Sequence, residues 1–268
     1  MRIYCSGRDS QNRSRIGFCE CDLNDPFGTL TVADVPILTP GAIGNFDDSG
    51  VMATWLLDYE GIQYLYYIGW NLGVTTPFRN ALGLAVSEDG GTTFNRYADG
   101  PILDRSIYDP CFVASCAILI ENGLWRMWYL SGVRWTYHER KPRHHYHLKY
   151  AESSDGISWR REGRVCIDFA NPQEYAISRP TIVKDGNLYR MWYSYRGEAY
   201  RIGYAESGDG LSWTRHDQNV GITVSDDGWD AQMIEYPHVF DHADHRYMAY
   251  NGNDYGKTGV GLARLRAI

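Results

Sequence analysis

One stretch of this chain recurs along its length, and that recurrence limits the fold more than any other feature. It runs Ser178-Arg179-Pro180-Thr181-Ile182-Val183-Lys184-Asp185-Gly186-Asn187-Leu188-Tyr189-Arg190-Met191-Trp192-Tyr193-Ser194-Tyr195-Arg196-Gly197 and continues from Arg201 to Trp213. Short alternating runs separated by turn residues read as four strands, a to d. The b strand of this stretch, Leu188–Gly197, matches Leu124–Gly132, Ile62–Trp70, Arg246–Gly252 and, more faintly, Arg2–Gly7. The c strands follow as Arg15–Glu20, Leu82–Ser87, Leu148–Ser153, Arg201–Ser207 and Val260–Arg264. Five repeats of about four strands predict an all-β, five-bladed β-propeller, because closing a ring protects sheet edges. The expected organisation is a single domain over 1–268, with repeats near 1–40, 46–104, 108–168, 176–222 and 229–268. The first blade lacks an inner strand before Arg2. That predicts an open edge through which a homo-oligomer would form.

Three c–d connections share one punctuated turn, at Ser87–Phe94, Ser153–Trp159 and Ser207–Trp213. In each, an aspartate (Asp89, Asp155, Asp209) folds back on its own turn amides and a glycine takes positive φ. These turns resemble the Asp-box hairpin of sugar-processing propellers, and their aspartates are expected to be structural.

Composition excludes several classes of function. With net charge −7 and pI near 5.6, the chain lacks the basic face that a nucleic-acid backbone requires. No apolar run approaches the ~18 residues of a bilayer span, and residues 1–8 hold no apolar leader. Six cysteines without zinc-site spacing, Cys19 and Cys21 lying two apart on a strand, read as free thiols of a reducing, cytoplasmic compartment. His145 and His147 are not accompanied by placed carboxylates, so no metal and no cofactor are expected. The aromatic content, 21 Tyr and 9 Trp, suits strands and sugar-stacking surfaces. The expected partner is a small-molecule or oligosaccharide substrate.

Strand direction sorts the loops onto two faces. The d–a connections and the b–c loops share one face, which collects the chemistry-bearing residues. Aromatic-Asp pairs recur there as Phe46-Asp47, Tyr108-Asp109 and Trp229-Asp230, with Asp48 following Asp47. Converging carboxylates suit glycosidic cleavage, in which one protonates the leaving oxygen and one activates water or attacks carbon. The alternative is that each caps a turn, and this is the favoured reading for Asp230. Arg8, Arg79, Arg134 and Arg196 follow b strands, and Arg179 opens an a strand. Guanidinium groups on one face of an acidic chain point to an anionic substituent on the ligand. Equally, each arginine could pair with an aspartate for the fold alone. Trp70, Asn71 and Asn253 join the candidate binding set, and Val133–Tyr146 is expected to form a lid loop.

Across all five repeats the chain resembles the five-bladed propeller glycoside hydrolases, both arabinanase/xylosidase-like and invertase/levansucrase-like. It is most similar to a bacterial group described as glycosidase-like. Such families pair two aspartates with one glutamate, and their a strands open Asp-Pro or Glu-Gly-Pro. Glu235-Tyr236-Pro237-His238 matches that opening. The resemblance implies Glu235 as the third carboxylate beside Asp48 or Asp47 and Asp109, with Tyr236 and His238 in the binding set. In the same register the chain carries Ala53-Thr54-Trp55, Ser115-Cys116-Ala117 and Ser178-Arg179-Pro180, so inner-strand aspartates are absent. Three activities stay open: a glycosidase-like enzyme, a propeller glycoside phosphorylase, and a non-catalytic glycan- or nucleotide-sugar-binding propeller.

Overall fold

The computed structural model describes residues 1–22, 24–25 and 28–265; residues 23, 26 and 27 of the first expected repeat and 266–268 of the last lie outside them. The described chain is nearly all β. One sheet holds β1 (Arg2–Arg8), β2 (Ser14–Glu20), β3 (Thr31–Val32), β4 (Gly50–Tyr59), β5 (Ile62–Leu72), β6 (Phe78–Ser87) and β7 (Asn95–Arg96). A second holds β8 (Phe112–Glu121), β9 (Leu124–His138), β10 (Lys141–Ser153), β11 (Arg160–Ile167), β12 (Ala176–Asp185), β13 (Leu188–Arg196), β14 (Tyr200–Ser207) and β15 (Thr214–Arg215). The third is β16 (Glu235–His242), β17 (His245–Asn251) and β18 (Val260–Arg264). Among the described residues, helical hydrogen bonding is confined to Asp217–Asn219 and Asn253–Gly256.

The chain divides into two compact units. The first comprises Met1–Ser115, Trp135–Arg143 and Ser153–Arg160; the second comprises Cys116–Arg134, His144–Glu152 and Arg161–Ile268. In the first, Ile16, Val51, Leu65, Tyr67, Ala85 and Phe94 form a buried cluster; in the second, Trp192, Ile202, Tyr204, Ile234, Val239 and Met248 do so. Both clusters draw on successive strands whose alternate residues point inward, which gives the period-two pattern of the sequence.

The stretch expected as a lid, Val133–Tyr146, is instead the continuation of β9 and β10 into a long hairpin. Glu139 and Arg140 both take positive φ, 49° and 63°. Two consecutive left-handed residues form the turn whose twist matches paired strands, and this favours a hairpin over a loop.

The three punctuated turns share one hydrogen-bond pattern. Asp89, Asp155 and Asp209 each accept from amides of their own turn, at 2.7–3.1 Å. The hydroxyls of Ser87, Ser153 and Ser207 each donate to that aspartate and accept a glycine N–H. Such bonds favour the ionised form; they hold Asp209 at about 2 and Asp155 below the usual range despite its burial.

A further motif recurs under the c strands. Tyr67, Tyr193 and Tyr250 lie against Gly83, Gly203 and Gly261, and their hydroxyls donate to Asp47, Asp217 and Asp230 at 3.1, 2.6 and 3.0 Å. Two of these carboxylates also hold an arginine, Arg96 on Asp47 and Arg215 on Asp217. A methyl at residue 203 would meet Tyr193 Cε2 at 2.5 Å and Asp217 Oδ1 at 2.7 Å. Gly203→Ala is therefore expected to cost about 1–3 kcal/mol by overpacking, measured by denaturant unfolding; an unchanged midpoint would show that the contact is not tight.

Candidate functional site

The second unit gathers a set of polar side chains around Glu235, the first residue of β16. Its carboxylate is fully buried, and neither oxygen has a hydrogen-bond partner among the described residues. Burial raises its pKa to about 8, against the opposing pull of Arg196 and then Arg179. An orphaned buried carboxyl is costly to fold around. Sites that keep one are candidates for proton transfer.

The backbone here is bent at two matching places. The β16–β17 register slips between Glu235 and His238, and the β12–β13 register slips between Ser178 and Thr181. At each slip one non-glycine residue takes left-handed φ, Tyr236 at 57° and Arg179 at 50°, and each precedes a proline, Pro237 or Pro180. Left-handed φ on a bulky residue costs on the order of 1–3 kcal/mol and persists where surrounding structure enforces it; bulges of this kind re-aim side chains beside functional sites. Tyr236 N–H donates to Ser194 Oγ at 2.7 Å, which pins one bulge to β13. In the first unit a third slip, between Ala53 and Trp55, is pinned likewise by Ala53 N–H to Ser6 Oγ at 3.0 Å.

Aromatic rings pack against the two arginines. Arg179 Cζ stands 5.2 Å over the Tyr236 ring, and Arg196 Cζ 5.0 Å over Tyr200. Arg196 Nη1 donates to Tyr255 Oη at 2.7 Å, while its buried Nε has no partner among the described residues. The hydroxyls of Tyr146 and Tyr200 share a short hydrogen bond. Burial lifts the phenols of Tyr146, Tyr200 and Tyr236 well above their ordinary value. Burial, and then the Arg179 charge, lower that of His238, yet the His238 side chain is open to solvent.

The structure thus brings Glu235, Arg179, Arg196, Tyr236 and His238 together. Asn253 supports them indirectly: its Oδ1 accepts from Gln232 and Met233 N–H, its Nδ2 donates to Gly228, and this holds the loop carrying Tyr255. Arg134 is exposed and interacts electrostatically with Asp168. In the first unit, Asp47 is buried, with its Oδ2 held by Tyr67 and Arg96. Asp48 is half-buried, and although burial alone would raise its pKa, hydrogen bonds from Asn71, Gly44 and Ser49 hold it below the usual carboxylate range. Asp109 is buried and accepts from Ser106 Oγ at 2.8 Å. Trp70 is buried, its indole N–H on Ser14 and its face under Arg8; Arg8 and Arg79 are exposed. Tyr146, Tyr200 and Tyr255 were not singled out by sequence, although each lies in or at the end of a b–c connection on the face expected to carry chemistry. Among the described residues no cluster of three metal-ligating side chains occurs, and no helix is long and apolar enough to cross a membrane.

The fold is that of propeller glycoside hydrolases. A thermostable family-43 glycoside hydrolase superposes with TM-score 0.75 at 17% identity, covering 100% of this chain and 86% of that one. The sucrose-6-phosphate hydrolase of Lactobacillus gasseri gives 0.71 at 14% identity, covering 100% of this chain and 56% of that one. No family model matches the sequence. The chain belongs to the family of the Mycobacterium tuberculosis (strain ATCC 25618 / H37Rv) "Uncharacterized protein Rv1502", to which it is 44% identical over 264 residues, covering 98% of this chain and 87% of the relative.

Proposed function

We propose that the protein is a glycosidase-like, carbohydrate-active enzyme in which Glu235 acts as the proton donor and Arg179 and Arg196 grip an anionic group of the sugar. The single observation that carries this reading is the buried, orphaned Glu235 carboxyl with a pKa near 8, set beside two guanidiniums at a strained bulge. A carboxyl in that range is protonated at neutral pH and can pass its proton to a leaving glycosidic oxygen. Hydrolysis also needs a second carboxyl, to activate water or attack carbon. Asp48, Asp109 and Asp47 are the candidates that the sequence offers, and the repeats are read as five blades of one propeller.

The second reading, a glycan- or nucleotide-sugar-binding propeller without turnover, is favoured by one observation: the last paired residue before the matching bulge of β12, the register equivalent of Glu235, is Ser178 rather than an acid. A phosphorylase is a variant of the first reading, with phosphate replacing water. The test is a screen of glycosides and sugar phosphates, with and without inorganic phosphate, on the wild type and on Asp48→Asn and Asp109→Asn. The enzyme reading expects turnover by the wild type and a loss of about a hundredfold or more in the variant lacking the second carboxylate. Glycan binding with no turnover of any substrate would establish the binding reading instead.

A further inference from the structure

Glu235 and Arg196 lie within electrostatic reach of one another, yet no hydrogen bond joins them. Both carboxylate oxygens and the buried Arg196 Nε lack hydrogen-bond partners among the described residues, although Arg196 Nη1 is anchored on Tyr255. Arg179 lies on the Tyr236 ring, one residue from Glu235, and its charge reaches the Glu235 carboxyl. Unfilled acceptors and donors at such depth are those a polar ligand would satisfy.

We propose that Arg179 and Arg196 bind an oxyanion, a phosphoryl, sulfate or carboxylate group, and that its binding is coupled to uptake of a proton by Glu235. The inference rests on the glycosidase-like reading of the same residues and adds a thermodynamic linkage to it. With the site empty, the two guanidiniums favour the ionised carboxylate. A bound anion cancels that field and adds repulsion, so the carboxyl holds its proton more firmly. By linkage, protonation of Glu235 must strengthen anion binding by the same factor. The proton is then in place when the anionic substrate is seated.

Other groups face the pair and must be separated from it. Tyr146 on β10, Tyr200 on β14 and Tyr236 on β16 stay neutral through pH 7–9.5 because burial raises their phenols far above that window. His238 is neutral there because burial and Arg179 lower it. Tyr255 lies on Arg196, whose Cζ is 5.7 Å from the ring of Tyr175, and Cys116 on β8 lies within electrostatic reach of Arg179.

Sulfate is a suitable probe, since it does not itself titrate in this range. Calorimetry of sulfate binding in two buffers of different ionisation enthalpy is expected to show uptake of a fraction of a proton near pH 8, with affinity falling by up to about tenfold per pH unit above it. Glu235→Gln should bind sulfate with no pH dependence and no proton uptake. Arg179→Gln and Arg196→Gln, checked for folding by thermal melts, should each weaken binding at least tenfold, while Tyr255→Phe and Cys116→Ser keep the pH dependence. An adventitious, pH-independent association that survives the arginine substitutions would overturn the proposal, as would equal pH dependence in Glu235→Gln. Turnover of neutral glycosides without sulfate binding would overturn it while leaving the glycosidase reading intact. Inorganic phosphate that accelerates turnover would assign the subsite to free phosphate; phosphate that competes with substrate would assign it to a substituent of the sugar.

Discussion

Glu235→Gln is expected to reduce kcat by about a hundred- to ten-thousand-fold, the usual contribution of a positioned general acid, with KM changed little. Glutamine keeps the shape but cannot release a proton. In the wild type, the same group predicts that kcat/KM falls as pH rises through about 8, because the donor of the free enzyme is then ionised; the variant's residual rate should lack that limb. A variant with wild-type kcat would remove Glu235 from the mechanism. The substitution also has a signed effect on stability. The native carboxyl titrates near 8 and an unfolded glutamate near 4.3, so between those values the unfolded chain has released a proton that the native chain retains. Native stability is therefore full below the lower value and declines as pH rises towards the upper one, by an amount on the order of 5 kcal/mol. Glu235→Gln abolishes that decline. Melting temperature against pH from 5 to 9 should slope downward in the wild type and flatten in the variant. A loss of turnover accompanied by a gain of alkaline stability separates a proton donor from a residue needed only for folding.

The β architecture was legible in the sequence because its punctuation is local. Alternation, two-residue turns such as Asn122-Gly123, and the Ser-x-Asp-Gly connections are each fixed by residues close together in the chain. The Val133–Tyr146 hairpin escaped because its turn is Glu139-Arg140, two residues with no intrinsic preference for the left-handed region they adopt. The site was half legible. The arginines stood out as charges after strands, and Glu235 through its resemblance to an a-strand opening. What sequence alone could not show is that Glu235 is orphaned, since the absence of a partner depends on every neighbouring element. Nor could spacing reveal that Asp47 shares the tyrosine-arginine arrangement of Asp217, because Asp47 lies before its a strand and Asp217 follows a d strand. The bulges left a trace, Arg179-Pro180 and Tyr236-Pro237, since a proline disfavours the helical region for the residue before it.

Arg126→Ala is expected to lower stability by about 3–5 kcal/mol, the cost of removing one partner from a buried charge network. Arg126 is only 9% exposed, and every one of its bonds runs to another strand or turn of the second unit. Its Nε donates to Tyr150 Oη at 2.8 Å, Nη1 to Glu121 Oε2 at 2.8 Å and Tyr189 Oη at 2.6 Å, and Nη2 to the Asp209 carbonyl at 2.6 Å. The guanidinium also lies 5.1–5.4 Å from the rings of Tyr189, Tyr150 and Trp128. Truncation would leave the Asp209 carbonyl of a punctuated turn unsatisfied, and would leave Glu121 to Lys184 and Tyr189 alone. Arg190 holds the same place in the next repeat, bonding Tyr204 and Glu206, but its side chain is 32% exposed. Water can replace its partners, so Arg190→Ala should cost no more than about 1–2 kcal/mol. The comparison tests burial rather than bond number as the controlling quantity: equal unfolding midpoints for the two variants would refute it. Acid adds an independent check. Although burial alone would raise Glu121, bonds from Lys184, Tyr189 and Arg126 hold it at about 2, so the stability it contributes is present above about pH 4.5 and is lost as pH falls towards 2. In Arg126→Ala that acid-dependent loss should shrink, because the unfolded and native carboxyls then titrate closer together.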